Sequence, residues 1–310
     1  MSIFLAGFLS VLFGIIFLFV LYVIVRYVPI IERDAFDVPR HRVPQQFRIP
    51  PHVCTKEIRI SLKETEQITL RYIAAREPSR RLVVFCHETG ADWRSWYKHG
   101  YFLPENGFDV LTFSYNENQR SFQWPSAREL SVIQGVLEWV RRERPGYQVS
   151  LFGVSKGSSL AAAASGHPIV KSVVLDGVFS THRTLKSLMK KWVHIYVTHK
   201  GYADILPNWL FSGLCRMTLW YAGIKQRTRF FSVERFMSIL RVPVLLIHAE
   251  RDAFVQLCDV ERIRGLVRAR SDLWIVRGAS HSESVTQRPA DYRSAVMRFF
   301  NRNLNQGDNV

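Results

Sequence analysis

A serine flanked by glycines stands where an apolar segment gives way to an alanine-rich one. Residues 151–165 read LFGVSKGSSLAAAAS, with Ser155 between Gly153 and Gly157. The apolar run predicts a buried strand and the alanine-rich run a helix, and a sharp turn between them needs small residues on both sides of the serine. The pattern therefore predicts an exposed hydroxyl beside helix N-terminal amides, a position suited to a nucleophile. The alternative is a serine that only caps the helix.

Short apolar runs alternate with helical patterns through residues 57–305. Residues 57–62 and 67–75 alternate polar and apolar side chains, as two paired strands do. Residues 126–144 carry apolar side chains at helical spacing between Ser126 and the sequence Pro-Gly. Strand–helix alternation with apolar strands predicts an α/β fold, a mostly parallel central sheet with helices on both faces. The apolar runs are residues 81–87, 108–115, 147–154, 170–177, 242–250 and 271–278.

The N-terminal segment is uniformly apolar. Residues 3–25 contain no charge and no proline. A helix of this length measures about 34 Å, enough to cross a hydrocarbon core of about 30 Å. No basic residue precedes it, as one would in a signal peptide, so the segment predicts a single-pass transmembrane helix. The first basic residue, Arg26, follows it, and the positive-inside rule therefore predicts a cytoplasmic domain.

Two other segments depart from the strand–helix pattern. Residues 26–56 contain five prolines and predict an extended linker, and residues 306–310 predict a flexible tail. Residues 181–241 are too long for a simple connection. They hold eleven Lys and Arg, ten aromatic residues, and only Asp204 and Glu234 as acids. This insertion predicts either a basic, aromatic surface for anionic lipid or a solvated basic face with aromatics packed inward.

The net charge of the chain, +16, favours an anionic partner. No zinc-finger, homeodomain or RNA-binding motif accompanies it, so we predict lipid rather than nucleic acid. The four cysteines form no CxxC pair and no cluster with histidine, which predicts free thiols and no metal site.

Most of residues 57–305 resemble the α/β-hydrolase superfamily, and most nearly its small single-span hydrolases and serine-aminopeptidase-type proteins. The family order of serine, acid and histidine is present. The segment LLIHAERDAFV is similar to the family's acid segment, and VRGASHSES is similar to its histidine loop. The resemblance implies that Ser155 is the nucleophile, His281 the base and Asp252 the acid, with no metal or cofactor. Asp176, which ends another predicted strand, is the reserve acid.

The same resemblance implies a hole of two backbone amides for the oxyanion. One is the amide of Lys156, directly after the nucleophile. The other lies in the loop after the strand at 81–87, where we predict the amide of Thr89. Relatives usually have His-Gly in this loop, whereas this chain has His87 followed by Glu88. The alternative is that this loop is an ordinary turn.

The resemblance and the anchor together predict a membrane-anchored serine hydrolase. Its expected substrates are small-molecule esters or thioesters, lipid-like ones above all, and the predicted insertion forms a cap in this family. Two alternatives stay open. One is a serine peptidase or aminopeptidase, since amides and esters pass through the same tetrahedral intermediate. The other is a non-catalytic module that binds a lipid or a protein, which the unusual Glu88 favours.

Overall fold

The structure, a computed structural model, describes residues 2–36, 48–63, 66–115, 123–196 and 206–304. The predicted tail and residues 37–47 of the predicted linker lie outside these ranges. Contacts between residues divide the chain into two compact units. We call Met1–Asp37 with Leu185–Arg229 the helical unit, and Val38–Thr184 with Phe230–Val310 the α/β unit.

The described elements follow the order that the sequence predicts. The first helix is α1 (Ser2–Phe36), and the strands are β1 (Lys56–Lys63), β2 (Glu66–Ile73), β3 (Arg81–Cys86), β4 (Asp109–Phe113), β5 (Gln148–Val154), β6 (Val170–Asp176), β7 (Val244–Ala249) and β8 (Ser271–Val276). The other helices are α2 (Ser95–Gly100), α3 (Ala127–Glu143), α4 (Lys156–Ala164), α5 (Thr181–Tyr196), α6 (Asn208–Lys225), α7 (Glu234–Ile239), α8 (Leu257–Leu266), α9 (Ser284–Gln287) and α10 (Pro289–Asn303).

One sheet organises the α/β unit. Its order is β1-β2-β4-β3-β5-β6-β7-β8 across the described strands. β1 pairs with β2 and β2 with β4 in antiparallel fashion, and the pairs from β4 to β8 are parallel. The prediction of a mostly parallel sheet is confirmed. Parallel order brings the carboxyl ends of β5, β7 and β8 to one edge, where ligand sites of open α/β sheets lie.

Apolar side chains fill both faces of the sheet. In β3, Leu82 and Val84 join a buried cluster with residues of α3 and α4, whereas Val83 and Phe85 join a second one with residues of α2 and α10. This alternation follows from the two-residue period of a strand. Each fully buried Val, Leu or Phe side chain stabilises the fold by about 1.5–3 kcal/mol. The prediction of helices on both faces is therefore confirmed.

Helix α1 is longer than the predicted span of residues 3–25. It runs from Ser2 to Phe36 and contains Pro29, so residues 26–36 are helical and not part of an extended linker. Pro29 removes one helical hydrogen bond. The residues around it compensate by packing, since Val28, Glu32 and Ala35 are buried. The helix is long and apolar enough to cross a membrane, and only 6% of its most apolar window is buried within the molecule.

The predicted insertion, residues 181–241, contains α5, α6 and α7. Its middle part, Leu185–Arg229, groups with the N-terminal helix, whereas its two ends belong to the α/β unit. The sequence analysis places the whole insertion in the domain of residues 57–305, whereas the contacts place its middle part in the helical unit. The physical reason is that α6 packs against α1.

Candidate active site

Ser155 lies at the turn between β5 and α4. Its φ of 51° and ψ of −116° fall in a region that L-residues rarely occupy. Hydrogen bonds at both its amide and its carbonyl hold the strained backbone. The Ser155 amide donates to the carbonyl of Asp176 at 2.7 Å, and the Ser155 carbonyl accepts from the amide of Ser158 at 3.0 Å. A strained serine between a strand and a helix is the backbone geometry of a nucleophile elbow.

The two glycines beside Ser155 let three backbone segments approach closely. A Cβ at Gly157 would overlap the carbonyl oxygen of Cys86 and lie 2.6 Å from that of His87. A Cβ at Gly153 would overlap the backbone of Gly157 in the same way. Glycine is therefore required at both positions for steric reasons, as the sequence pattern predicts.

Ser155, His281 and Asp252 form one chain of hydrogen bonds. The Ser155 Oγ lies 2.7 Å from Nε2 of His281. The Nδ1 of His281 lies 2.6 Å from Oδ2 of Asp252. An ionised carboxylate only accepts hydrogen bonds, so Nδ1 carries the ring proton and Nε2 is free to accept the serine hydroxyl. The three residues come from loops after β5, β7 and β8.

The carboxylate of Asp252 is buried and held in place. Its Oδ1 accepts the amides of Phe254 and Val255, each at 2.8 Å. Burial raises the pKa of this carboxyl, but the hydrogen bond and charge of His281 and the two amides outweigh it and leave the pKa below its usual range. Asp252 is therefore ionised where it meets the imidazole.

Asp176, the reserve acid, faces other groups. Its Oδ2 accepts the Tyr292 hydroxyl at 2.8 Å, and its Oδ1 accepts that of Ser284 at 3.4 Å. Burial raises the pKa of this carboxyl, partly offset by nearby His99, Tyr292 and His281. Its contribution to the elbow comes from its main chain, whose carbonyl accepts the Ser155 amide.

The imidazole of His281 sits between a glycine and an aromatic cluster. Gly177 has a φ of +69°, and a Cβ there would lie 3.1 Å from Cε1 of His281. On the other side the ring of Phe254 lies 5.1 Å from that of His281. Phe254 packs in turn on Trp124 and Phe179, with ring centroids 5.8 Å and 5.3 Å away. Apolar walls of this kind fit a site that binds an apolar group.

The residue after the nucleophile, Lys156, extends its side chain into the core. Its Nζ lies 2.6 Å from Oε1 of Glu129, and both side chains are fully buried. Oε2 of Glu129 accepts the Ser126 amide at 3.3 Å, and the Ser126 hydroxyl accepts the Glu129 amide at 3.3 Å, which completes a capping box at the start of α3. Sequence reasoning missed this ion pair, although the Ser-x-x-Glu spacing of a capping box is visible in the sequence.

The loop after β3 passes beside the elbow, since the carbonyls of Cys86 and His87 face Gly157. Thr89, the predicted second oxyanion donor, lies in this loop, and its hydroxyl donates to the carbonyl of Gln123 at 3.1 Å. The side chain of Glu88 accepts the hydroxyl of Ser95 and lies 3.7 Å from Nε2 of His99.

Glu88 is thus bound by residues of α2. Burial raises the pKa of its carboxyl, but His99, Ser95 and a backbone hydrogen bond outweigh burial and lower that pKa to about 2. Sequence reasoning did not find Ser95 and His99 as its partners, because no local motif links them to Glu88.

Across the described ranges, no three His, Cys, Asp or Glu residues are grouped to hold a metal ion.

Comparison with known proteins identifies the fold. A family model of the alpha/beta hydrolase fold matches residues 81–205. No curated protein sequence matches the chain. An esterase of Pyrococcus furiosus superposes with a TM-score of 0.63 at 18% identity, over 86% of this chain and 97% of that one. The chain has the α/β-hydrolase fold, as the sequence resemblance predicts.

Two further solved structures, of enzymes with other activities, share this fold. The acylaminoacyl peptidase of Pyrococcus horikoshii superposes with a TM-score of 0.57 at 14% identity, over 83% of this chain and 43% of that one. A 2,6-dihydroxy-pseudo-oxynicotine hydrolase gives a TM-score of 0.57 at 12% identity, over 83% of this chain and 69% of that one. Because identities are this low, the likeness concerns the fold, which hosts hydrolases of several kinds.

Proposed function

We propose that this chain is a membrane-anchored serine hydrolase that cleaves carboxylic esters or thioesters through an acyl-serine intermediate. The observation that carries the proposal is the continuous hydrogen-bonded chain from Ser155 through His281 to Asp252 at a strained elbow. These residue types, in this order of contact, are those of a serine nucleophile, its base and the group that orients the base.

The reaction begins with attack of the Ser155 Oγ on the substrate carbonyl. Nε2 of His281 takes the hydroxyl proton, and Asp252 stabilises the imidazolium. The carbonyl oxygen becomes an oxyanion, which the amides of Lys156 and Thr89 stabilise. When the intermediate collapses, His281 returns its proton to the leaving alcohol or thiol. Water, deprotonated by His281, then attacks the carbonyl carbon of the acyl-serine; the bond from that carbon to Ser155 Oγ breaks, and the imidazolium returns its proton to Oγ as the acid leaves.

The contacts of Glu88 support this proposal over a non-catalytic module. A carboxylate beside the oxyanion would oppose catalysis, but the carboxylate of Glu88 is bound to Ser95 and lies near His99. Its backbone continues the loop from β3, where relatives of this fold supply the second amide. Glu88, which stands where relatives have glycine, therefore need not place its negative charge at the reaction centre.

Lipid-like esters are the substrates that fit best. The aromatic residues Trp124, Phe179 and Phe254 beside His281 offer an apolar wall. Helix α1 has the length and composition of a membrane span, which would keep the domain where such esters concentrate. A peptidase is the second candidate, since the fold is shared with an acylaminoacyl peptidase.

A fluorophosphonate probe tests the hydrolase proposal on the full-length protein in detergent. We expect covalent labelling that Ser155→Ala abolishes. A second serine variant, Ser131→Ala on α3, leaves the site untouched and should label like the wild type, because its hydroxyl bonds only locally, to the Arg128 carbonyl. Absence of labelling in folded wild-type protein would favour the binding module.

The substrate class is tested by comparing rates of hydrolysis across a panel of p-nitrophenyl esters of rising acyl length, a thioester and an aminoacyl amide. We expect faster turnover as the acyl chain lengthens and little cleavage of the amide. Preference for the aminoacyl amide would replace the esterase proposal with the peptidase one.

Membrane orientation can be read from the two exposed thiols, Cys54 and Cys258. If the α/β unit is cytoplasmic, a membrane-impermeant maleimide should label neither thiol in intact cells and both after permeabilisation. A cysteine placed by Ser2→Cys, on the opposite side of α1, should show the reverse accessibility. Labelling of Cys258 in intact cells would invert the proposed topology.

A further inference from the structure

The outward face of helix α6 carries large apolar side chains and one arginine. The inward side is apolar apart from one threonine. Outward-facing Trp209, Trp220 and Ile224 are 63%, 65% and 59% exposed. At 100° per residue these three positions and Arg216 share one narrow arc of the helix. A surface helix of a soluble protein normally turns charged residues to this side, whereas a large exposed apolar patch marks a surface that protein or lipid covers. The inward residues are Leu210, Phe211, Leu214, Cys215, Thr218 and Ala222.

The neighbour of α6 is the candidate membrane span. Among the described elements, α6 is the one that packs extensively against α1. Nζ of Lys225, at the end of α6, lies 2.7 Å from Oε2 of Glu32, and Nε2 of Gln226 lies 3.3 Å from Oε1 of the same carboxylate. The Glu32 side chain is only 3% exposed. The contact fixes α6 to the last turns of α1, directly after the apolar stretch.

The accessibility of α1 changes along its length. Every described residue from Phe4 to Phe13 is exposed, as expected of side chains that face lipid. Val20 and Ile24 are partly buried and Val28 and Glu32 are buried, and these four residues share one face of the helix. The covered part of α1 is therefore its C-terminal part, where the chain leaves the apolar stretch.

We infer that α6 is a second membrane-embedded element, with the stripe formed by Trp209, Arg216, Trp220 and Ile224 lying in the headgroup region of the leaflet from which α1 emerges. This inference rests on the membrane anchoring in the proposed function. Tryptophan is enriched at this depth because its ring is apolar and its N–H is polar. The side chain of Arg216 is long enough to reach phosphate while its stem lies among apolar groups.

The charge of the segment favours lipid over a second copy of the chain. Residues 185–229 contain eight Lys and Arg and one acid, Asp204. Such a surface is attracted to anionic headgroups, whereas two copies carrying +16 each repel one another. Helix α6 also packs on α1, whose exposed apolar residues have the length and composition of a membrane span.

The test places a fluorescent label at three sites of the full-length protein. Cys54→Ser and Cys258→Ser remove the exposed thiols, and Cys86 and Cys215 stay because they are buried. Trp220→Cys reports on the stripe, Phe17→Cys on the span, and Glu261→Cys on an exposed position of α8. Each protein carries an NBD label in vesicles of phosphatidylcholine and phosphatidylglycerol, with or without phosphatidylcholine that bears a doxyl quencher near the headgroup.

We expect doxyl lipid to lower NBD emission about two-fold at positions 220 and 17 and to leave position 261 unchanged. If doxyl lipid leaves the NBD emission at position 220 unchanged, as at position 261, and the emission is not blue-shifted, the inference is overturned because the stripe then faces water. Emission at 220 that is blue-shifted but insensitive to doxyl lipid also overturns it, because the stripe is then covered by a second copy.

The same vesicles separate this inference from the proposed function. Fluorophosphonate labelling of Ser155 reports on the hydrolase, and quenching at position 17 reports on the anchor. If the probe labels Ser155 and doxyl lipid quenches position 17 but not position 220, the membrane role of α6 is rejected, whereas the hydrolase and the anchor are kept. Quenching at 220 without labelling of Ser155 would reject the hydrolase and keep the membrane-embedded helix.

Discussion

Nζ of Lys156 lies 2.6 Å from Oε1 of Glu129, and neither side chain is exposed to solvent. The pair joins the residue after the nucleophile to the first turn of α3, since Glu129 belongs to the capping box that begins that helix. The Lys156 ammonium also lies 5.2 Å from the centre of the Tyr115 ring. The elbow is therefore tied to α3 by a charge pair that water does not reach.

Breaking this pair should destabilise the α/β unit strongly. We expect Lys156→Met to lower the free energy of unfolding by about 3–5 kcal/mol, because it leaves the Glu129 carboxylate buried without its counter-charge. Urea unfolding of the full-length protein in detergent measures the loss.

The double variant Lys156→Met with Glu129→Gln serves as the matched control. It removes both charges and keeps an oxygen that accepts from Ser126, so at least half of the lost stability should return. Losses that simply add in the double variant would show that the two charges do not interact.

A methyl group at position 157 should prevent the elbow from forming. Gly157→Ala places a Cβ against the carbonyl oxygens of Cys86 and His87, which belong to the backbone and have no room to move away. We expect loss of soluble folded protein, or loss of fluorophosphonate labelling in whatever folds. Gly166→Ala is the control, since a Cβ there meets nothing within 4 Å. Full labelling of Gly157→Ala would contradict the observed close approach.

The fold was predictable from the sequence because local patterns determine it. Continuous apolar runs mark the buried parallel strands. The glycines around Ser155 mark a turn where any larger side chain would overlap neighbouring backbone. The order of Ser155, Asp252 and His281 along the chain, read through the family resemblance, named three residues that the structure brings together.

Other features depend on contacts that no local pattern encodes. Lys156 and Glu129 are 27 residues apart in the sequence. Long charged side chains are exposed in most proteins, so neither local sequence predicts that these two side chains are buried. The sequence predicts that the helix ends at residue 25, because Pro29 and the charges after residue 25 resemble a linker, whereas α1 continues to Phe36. The packing of α6 on α1 outweighs that local preference.

Asp252 and Asp176 are predicted to differ sharply when each is replaced by asparagine. Asp252→Asn should lower kcat by about 10³–10⁴, because an amide that donates to Nδ1 of His281 favours the wrong tautomer. Asp176→Asn should keep kcat within about ten-fold, because its carboxylate bonds Tyr292 and Ser284 and makes no hydrogen bond to His281. Ester hydrolysis by the two variants, with melting curves as a check on folding, measures the difference. A larger loss in Asp176→Asn would assign the acid to Asp176.

His87 should make the stability of the α/β unit depend on pH. Burial, with the charge of Lys156 as a smaller cause, lowers the pKa of its imidazole from 6.5 to about 4, although the hydrogen bond to the Glu88 carbonyl and the charge of Glu88 oppose this shift. Its Nδ1 lies 2.8 Å from the carbonyl of Glu88, and its ring packs on Tyr115 with centroids 4.2 Å apart. The folded state therefore keeps His87 neutral at a pH where the unfolded chain has protonated it.

The sign follows from which state binds more protons. Above pH 6.5 both states hold a neutral His87, and between pH 6.5 and about 4 only the unfolded state gains the proton, so stability falls as pH falls through this window. The full shift corresponds to about 3 kcal/mol at most. We expect the urea midpoint of the wild type to drop across this window more steeply than that of His87→Asn, which keeps a donor for the Glu88 carbonyl and does not titrate. Parallel pH profiles for the two proteins would show that His87 is not held neutral by the fold.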